Sequence, residues 1–467
     1  MADHSGSIGV LRTEKSRLWI GLGLAQWAAL GAFGWAGGLE LPLPRLLLPA
    51  AALVCYAWAG AAAGRQEGSL AWVWGLAVLM RLSLLPLTPE LSDDVYRYLW
   101  DGHVQLQGIS PYLYPPGHAA LEGLRSAWHP LINHPDVPTI YPPLAQLAFL
   151  LVGLLGGTVW SAKILWTAFD LLAGGVLIEA ARRRGLPVAR IAVLYLWSPL
   201  LIVETAWSAH FDALGLFWLS LALLWSAPPK ADHPVRVGVA VGAATLTKFA
   251  PAALLPVLLR RYGVRSLLAW LLVVVGLYVP FVHVGLGPLT EGLRTYSEHW
   301  TANEGAFRLI AAVVEDPVGS RTVASGFVLA AVVVAAWRRF HLARAMVWII
   351  GAGLLFSPTV HPWYVLWVLP AAALRISLPF LTLSGLVFLG YWGLGDYLTT
   401  GTWPEPGWAP FVIWFPTWLL LAGEARGWLM RRRARQAQAQ EPESEQPDER
   451  GRSPQSGTQG EQRFDTK

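Results

Sequence analysis

Two adjacent aspartates open the segment of this chain that is best suited to acid–base chemistry. The segment reads "SDDVYRYLWDG" and contains three carboxylates, Asp93, Asp94 and Asp101. In a helix, the spacing i, i+3, i+4, i+7 puts four of its side chains on one face: Asp94, Arg97, Tyr98 and Asp101. Arg97 could then pair with the carboxylate on either side of it. A carboxylate on such a face could accept the proton of a substrate hydroxyl group as a general base.

The flanking residues predict the helix itself. Ser92 is of a type that caps helix N-termini, and Gly108 is of a type that ends helices. The acids of the first turn could instead do no more than complement the helix dipole. Asp94 is the first candidate for the base and Asp93 the second, because adjacent helical residues point about 100° apart and only one can face a site well.

Further ionisable and aromatic side chains recur in later segments, among them "NHPDVPTIYPPLAQ", "VETAWSAHFDALG" and "SPTVHPWYVLWVLP". Ionisable groups at membrane depth are costly and commonly mark a site or a water-filled cavity. The candidates for substrate binding in these and neighbouring segments are His134, Asp136, Tyr141, Glu204, His210, Asp212, Lys248, Arg308, His361 and Tyr364. The alternatives are a stiff surface loop, an interfacial aromatic belt, and an ion pair of Lys248 with Glu204 or Asp170.

Motifs for nucleotides and metals give no support to a soluble nucleotide domain or a zinc site. The chain has no P-loop, no dinucleotide glycine fingerprint and no G-x-S-x-G. His134, Asp136, His210 and Asp212 are the side chains that could form a metal site, but none of them has a tight zinc spacing. We therefore expect neither a metal nor another cofactor.

Composition indicates the elements that must position these residues. Apolar residues make up 54% of the 467 and charged residues 14%, with a mean hydropathy of +0.44. Uncharged runs such as residues 18–39, 266–290 and 345–374 reach the length of about 20 residues that a membrane helix needs. The net charge of +5 sits mostly beside helix ends, which indicates topology and no nucleic-acid partner. The sequence predicts an all-α, polytopic membrane protein.

Positive charges orient the predicted helices. Arg12, Lys15 and Arg17 place the cytoplasmic N-terminus, residues 1–17, on the inner side. Three crossings, at 18–38, 46–64 and 69–88, then bring the acidic segment to the outer face. We expect about 12 spans within a membrane domain at 18–424. Its two outward polar segments are 89–142 and 285–320.

Two apolar segments do not fit a simple crossing. Residues 144–157 are too few to span and predict a membrane-dipping helix. Residues 237–259 are interrupted by Lys248 and Pro251, which favours two half-length helices that return to one side. The segment 425–467 is rich in Gln, Glu, Ser and Arg, and we expect a disordered cytoplasmic tail.

Taken in order, these segments resemble the GT-C superfamily of polytopic glycosyltransferases, and most closely its bacterial mannosyltransferase-type members. The resemblance is carried by "SDDVYRYLWDG", "NHPDVPTIYPPLAQLAF", "ETAWSAHFDAL", "LTKFAPAALLPVLLRR" and "HPWYVLWVLP", over residues 90 to 370. One departure is the pair of helices at 18–38 and 46–64, since many members have one helix in total before the large outer loop.

The resemblance implies a GT-C type helical bundle and an inverting sugar transfer on the outer side of the bacterial inner membrane. The donor would be a sugar, mannose above all, on a polyprenyl phosphate, and the acceptor a glycan or lipid. The base would be Asp94 or Asp93, and the leaving phosphate would face Lys248, with Arg97 and Arg308 as further cations. The side chains that would grip sugar hydroxyls or orient the base are Glu204, His210, Asp212, His134 and Asp136. Asp101 would hold Arg97.

Two other functions stay open on the residues alone. Broken helices and charges within the membrane also suit a transporter or flippase for a lipid-linked or small anionic solute. No internal repeat is visible, and the charges gather on one side, which favours the transferase. A non-catalytic membrane scaffold would not need so many buried acids.

Overall fold

The computed structural model describes residues 5–35, 42–63, 70–227, 233–394 and 407–438. Across these ranges the chain is helical, without a β-strand and with one isolated bridge between Ala302 and Thr359. The predicted all-α class is thus confirmed. By its internal contacts the chain divides into two units, residues 1–418 and 419–467. All candidate site residues belong to the first unit.

The described residues form helices of very different lengths. The first half of the chain forms α1 (Ser5–Trp35), α2 (Pro42–Ala62), α3 (Leu70–Leu84), α4 (Asp94–Leu106), α5 (Pro143–Leu154), α6 (Val159–Arg183), α7 (Val188–Leu196), α8 (Pro199–Ile202) and α9 (Asp212–Trp225). The second half forms α10 (Pro234–Thr247), α11 (Leu255–Tyr262), α12 (Val264–Tyr278), α13 (Leu286–His299), α14 (Ala306–Val314), α15 (Pro317–Trp337), α16 (Leu342–Phe356), α17 (Leu369–Arg375), α18 (Leu378–Leu386) and α19 (Ala409–Gln438).

Short 3-10 helices join several of these elements. They are Ala119–Leu124, His129–Leu131, Ala250–Leu254, Val279–Val284, Pro362–Val368 and Val387–Tyr391. Most begin at or near a proline, whose ring fixes φ and removes a backbone donor. The result is a bundle of many short apolar pieces in place of uniform long helices.

Four of the described helices are long and apolar enough to cross a membrane: Leu18–Trp35, Val159–Arg183, Val264–Val284 and Pro317–Trp337. A fifth candidate is the bent pair Val188–Leu196 and Pro199–Trp207. Several other apolar helices are only 10–17 residues long. The predicted total of about 12 spans, and the dipping of the 12-residue α5, therefore stay predictions. Residues 36–38, at the end of the first predicted crossing, lie outside the described ranges.

The acidic segment forms α4, as its spacing predicts. Asp93 occupies the N-cap position, one residue later than predicted, and the hydroxyl of Ser92 accepts the backbone N–H of Asp94 at 3.3 Å. The helix ends two residues before Gly108, which has a φ of 74° that glycine adopts without strain. α4 packs against α5 with almost no space between the two backbones. A Cβ on Gly102 would lie 2.2 Å from the carbonyl oxygen of Phe149.

Val188–Leu196 and Pro199–Trp207 are two helical pieces that meet at a bend of 48°. Pro199 starts the second piece, and it lacks the N–H that would continue α7. From Val203 to Trp207 this piece has π-helical turns, a rare form that often occurs at functional sites. Glu204 lies in these turns and is fully buried.

The turn after Trp207 brings His210 back toward Glu204. Ala209 has a φ of 63°, a conformation that few residues other than glycine adopt. The backbone N–H of His210 donates to the carbonyl of Glu204 at 2.8 Å. The local strain thus fixes the imidazole beside the π-helical turn.

The predicted break at Lys248 is present. α10 ends at Thr247, and Lys248 is extended, with φ −157° and ψ 137°. The chain then continues through the 3-10 turn that contains Pro251 into α11. The side to which α11 returns stays a prediction.

A buried ion pair holds α3 to α6. Arg81 Nε lies 2.6 Å from Asp170 Oδ2, and both side chains are almost fully buried. Thr205 also donates to Asp170, at 3.1 Å. Asp170 is therefore committed to Arg81 and does not pair with Lys248, which was one of the alternatives that the sequence left open.

The second polar segment, 285–320, is largely helical. α13 lies against the loop before α5, where a Cβ on Gly292 would be 2.4 Å from the carbonyl oxygen of Pro138. The loop after α13 is tied to the loop after α16 in both directions: Ala302 N–H donates to Pro358 and Val360 N–H donates to Ala302. These contacts fix the second wall of the site described below.

The helix α19 continues past residue 425, where the sequence predicts that a disordered tail begins. The residues of this part, "ARGWLMRRRARQAQ", include Ala, Leu, Met, Arg and Gln, which have high helix propensity. The rest of the predicted tail, 439–467, lies outside the described residues.

Candidate functional site

A cavity of about 1030 Å³ lies between the N-terminus of α4 and the loops near α13 and α17. One wall comes from residues 88–98 and 130–141, and the other from 296–303, 360–364 and 390–394, with Lys248 between them. Of the predicted site residues, those lining it are Asp93, Asp94, Arg97, Tyr98, His134, Tyr141, Lys248, His361 and Tyr364. The sequence therefore identified side chains that the fold brings to one place.

The two aspartates share one partner. The side-chain amide of Asn133 donates to Asp93 Oδ1 at 2.6 Å and to Asp94 Oδ1 at 2.8 Å. The second oxygen of Asp94, Oδ2, accepts from the hydroxyl of Tyr98 at 3.4 Å. Both carboxylates are half-buried and face the cavity.

Burial raises the pKa of Asp94 to about 6, and the neighbouring carboxylates of Asp93 and Asp212 act in the same direction. The hydrogen bond from Asn133 and the charge of Lys248 oppose this rise. Burial also raises the pKa of Asp93. A carboxylate whose pKa lies near working pH is suited to general base catalysis, because it is ionised and still accepts a proton readily.

Asp101 lies behind this wall and does not line the cavity. Its Oδ1 accepts from Arg97 Nε at 3.1 Å, as the i, i+4 spacing predicts. Its Oδ2 accepts from the Thr139 hydroxyl at 2.6 Å and from Gln146 Nε2 at 2.8 Å. Arg97 also donates to the carbonyl of Val137 at 3.0 Å. Asp101 thus fixes Arg97 and the proline-rich loop against α4.

Lys248 lines the same cavity as the aspartates and pairs with Asp212. The two side chains are 2.9 Å apart, and Asp212 also accepts from the indole of Trp367. The ammonium lies 4.5 Å from the ring centre of Tyr364, an arrangement that adds cation–π attraction. The ammonium remains partly exposed, whereas Asp212 is fully buried. The cation is thus anchored from behind while it faces the cavity.

Three predicted residues lie behind the cavity wall and do not line it. Glu204, His210 and Asp212 are each fully buried. The imidazole of His210 stacks on Trp363 with ring centres 4.0 Å apart, and Trp363 stacks on His361 on its other face. A molecule in the cavity could therefore touch His361 directly but not His210.

Two more predicted residues lie apart from the cavity. Asp136 is exposed on the loop between α4 and α5, beside Gly117. Arg308 is exposed on α14 and does not line the cavity. His134 lies at the rim, with its ring 4.8 Å from that of Trp300.

The sequence did not identify Asn133, Tyr296 or Tyr391 as site residues. Asn133 directly precedes the predicted site residue His134. An uncharged amide in a loop is common, however, and does not by itself indicate a functional site. Tyr391 donates to Glu204 at 2.6 Å across 187 residues of chain. Tyr296 bonds to Tyr364 in the same wall. Only the fold could show these pairings.

Among the described residues, no three His, Cys, Asp or Glu side chains come together as a metal site. His134 and Asp136, two of the residues considered for such a site, are exposed on the outer loop, whereas His210 and Asp212 are buried. Asp212 has Lys248 as its partner.

The helical fold, its apolar spans and the acidic cavity define a multi-pass membrane protein with a site of enzyme type. The family described as alpha-(1->6)-mannopyranosyltransferase, N-terminal domain, matches residues 23–263, which is just over half of the 467. The chain belongs to this family and is thus a membrane glycosyltransferase of the mannosyltransferase class, which acts with a sugar donor and a glycan acceptor. No curated protein and no solved structure matches it.

Membership in an enzyme family favours the transferase over the transporter and the scaffold. The matched range includes the aspartate pair, Asn133, Glu204, His210 and Lys248. It ends before Tyr296, His361 and Tyr391, so one wall of the cavity lies outside it.

Proposed function

We propose that this protein transfers a sugar from a polyprenyl-phosphate donor to a hydroxyl group of a glycan or lipid acceptor, with inversion, on the outer side of a bacterial inner membrane. One observation carries the proposal. A half-buried, hydrogen-bonded aspartate pair and an anchored lysine line a single cavity. A glycosyl transfer needs a base on one side of the reacting carbon and a cation near the leaving group on the other.

Asp94 is the proposed base. It accepts the acceptor's hydroxyl proton while the oxygen forms a bond to the anomeric carbon from the face opposite the leaving group. The bond between that carbon and the phosphate oxygen breaks, and the polyprenyl phosphate departs with the electron pair. Asp94 is favoured over Asp93 because it is the more buried carboxyl and because both of its oxygens have fixed donors, Asn133 and Tyr98.

Lys248 is the proposed contact for the leaving phosphate. Its ammonium is already desolvated on one side by Asp212 and Tyr364, so it needs little reorganisation as negative charge develops. Arg97 lines the same cavity but is held by Asp101. The family description supports mannose as the sugar and an alpha-(1->6) linkage as the product.

The test is sugar transfer by purified full-length protein with a polyprenyl-phosphate mannose donor and a mannoside acceptor. Asp94→Asn removes the base, and we expect kcat to fall by about 100-fold or more. Glu122→Gln is the matched control, because Glu122 is an exposed carboxylate on the same outer segment. Activity of Asp94→Asn equal to that of the control would refute the assignment of the base. A panel of other polyprenyl-phosphate sugars and a nucleotide-sugar donor tests the donor class.

A further inference from the structure

A line of buried polar side chains runs behind the cavity wall from Asp94. The hydroxyl of Tyr98 lies 3.4 Å from Asp94 Oδ2 and 3.2 Å from Nδ1 of His210. The other ring nitrogen, Nε2, lies 3.5 Å from Oε2 of Glu204. Glu204 Oε1 accepts from the hydroxyl of Tyr391, which lines the cavity at another place. The line thus begins and ends at the cavity, whereas His210 and Glu204 do not touch it.

The number of hydrogens fixes the direction of these contacts. When Asp94 is ionised, as a general base must be, its oxygen can only accept, so the single hydrogen of the Tyr98 hydroxyl is donated to Asp94. Nδ1 of His210 must then carry a hydrogen and donate to the oxygen of Tyr98. Nε2 of the neutral ring is left as an acceptor, so Glu204 must be a neutral carboxyl group whose Oε2 carries a hydrogen toward Nε2. At 3.5 Å this last contact is longer than a hydrogen bond, as catalytic contacts often are before substrate binds.

The imidazole has no freedom to leave this arrangement. His210 is fully buried, Trp363 covers one ring face, and the left-handed Ala209 fixes the backbone. The titratable groups in direct contact are Asp94, Tyr98 and Glu204. Lys248 and His361 act on the ring electrostatically from a longer distance. A side chain so enclosed can act on a substrate only through its neighbours.

We propose that His210 is a positioning residue for the base: through Tyr98 it orients Asp94, and Glu204 determines which ring nitrogen of His210 carries the hydrogen. This inference rests on the proposed function, since it needs Asp94 to be the base. It also assigns to His210 and Glu204 the orienting role and not the binding of sugar hydroxyls. A fixed orientation of Oδ2 keeps the carboxylate within reach of the acceptor hydroxyl.

The experiment compares four variants in the same transfer assay between pH 5 and 8: Tyr98→Phe, His210→Gln, His210→Asn and Glu204→Leu. Without the donor at Nδ1 the hydroxyl of Tyr98 is free to turn away from Asp94. The pKa of Asp94 then rises, so we expect the acid limb of the kcat profile to move to higher pH. For His210→Gln and Tyr98→Phe we expect kcat to fall about tenfold or more with an unchanged donor KM.

The two substitutions of His210 separate its nitrogens. An asparagine amide reaches the position of Nδ1, and a glutamine amide reaches that of Nε2, so His210→Asn should retain more activity than His210→Gln. Glu204→Leu removes the donor to Nε2, so it should lower kcat in the native background and have no further effect in the His210→Asn background, where the contact to Nε2 is already absent. Tyr195→Phe is the control for a buried tyrosine whose hydroxyl has no hydrogen-bond partner in the structure.

The outcomes separate the two proposals. Full activity of Asp94→Asn would refute the proposed function itself. If Asp94→Asn is inactive but the acid limb stays in place in all four variants, the positioning role is refuted and the function stands. A loss of melting temperature or a higher KM with an unmoved acid limb would also refute the positioning role, because it would show a structural one.

Discussion

The amide of Asn133 has two N–H groups and gives one to each of the adjacent carboxylates. This contact holds Asp93 and Asp94 side by side although their charges repel. It stabilises the ionised form of Asp94, whereas burial and the charge of Asp93 favour the protonated form. The working pH of the proposed base therefore depends on two neighbours that act in opposite directions.

For the pH dependence of transfer we expect an acid limb with its midpoint near pH 6, below which Asp94 is protonated and cannot accept a proton. Asn133→Ala removes a donor to the ionised form, so the pKa of Asp94 rises and the limb moves to higher pH. Asp93→Asn removes a like charge and should move the limb to lower pH. The measurement is kcat/KM for the donor over pH 5–8. Shifts of equal sign in the two variants would contradict this description of the pair.

Lys248→Ala should raise the donor KM, because the phosphate loses its cation. The same change leaves Asp212 buried without a partner charge, which costs about 3–5 kcal/mol of stability. The double variant Lys248→Ala, Asp212→Asn removes both charges and should recover the melting temperature while the KM stays high. Recovery of KM together with stability would show that Lys248 has a structural role only.

The sequence singled out Asp94, Lys248 and His361, which line the cavity, and missed Glu90, Asn133 and Tyr391, which line it as well. The roles of these residues stay predictions. Asp94, Lys248 and His361 stand out because ionisable groups are rare between apolar segments. Asn133 and Tyr391 are of types that are common in loops and at membrane interfaces, so their positions in the chain carry no signal. Arg308 was predicted for its charge, but α14 keeps it exposed and away from the cavity.

At the scale of elements, the contact between α4 and α5 sets the position of the aspartates. Gly102 lies against the backbone of Phe149, so α4 can approach α5 more closely than any side chain would permit. The ring of Tyr98 stacks on that of Phe149 with centres 4.8 Å apart, and Tyr141 and Phe211 close the cluster. This aromatic cluster therefore fixes the face of α4 that carries the proposed base.

Gly102→Val should separate α4 from α5 and lower both stability and activity. The added Cβ would lie 2.2 Å from the backbone oxygen of Phe149. A backbone atom cannot move aside as the end of a flexible side chain can. We expect a loss of about 1–3 kcal/mol of stability, measured as thermal unfolding in detergent. Gly123→Val, on the 3-10 turn of the outer segment with open space around it, is the control. Equal melting temperatures for the two variants would contradict the close contact.

The helices themselves were predictable where one local rule decides them. The spacing of acidic and aromatic residues predicted α4, and Lys248 with Pro251 predicted the break after α10. The bend at Pro199 and the π-helical turn at Glu204 were missed, because an apolar run reads the same whether it is straight or broken. Tertiary packing decides between the two.

At the scale of the whole molecule, the proposed topology puts the cavity outside the cytoplasm. In a Cys55→Ser background, Ala120→Cys should react with an impermeant thiol reagent applied to cells whose outer membrane has been permeabilised, because Ala120 is exposed on the 89–142 segment. Arg265→Cys, exposed beside the predicted inner end of α12, should react only after the inner membrane is opened. The reverse pattern would invert the topology.

The walls of the cavity come from different parts of the chain, and this division matters for how specificity can change. The wall with the proposed base lies within residues 88–141, inside the matched family range, while Tyr296, His361 and Tyr391 follow it. A chimera joined after residue 263 would keep Asp94, Asn133 and Lys248 and exchange the facing wall together with the helices that carry it. Such recombination at one junction would recruit new acceptors or sugars while the half with the proposed base is inherited, provided that the new half supplies the partners that Trp367 and Tyr391 give to Asp212 and Glu204.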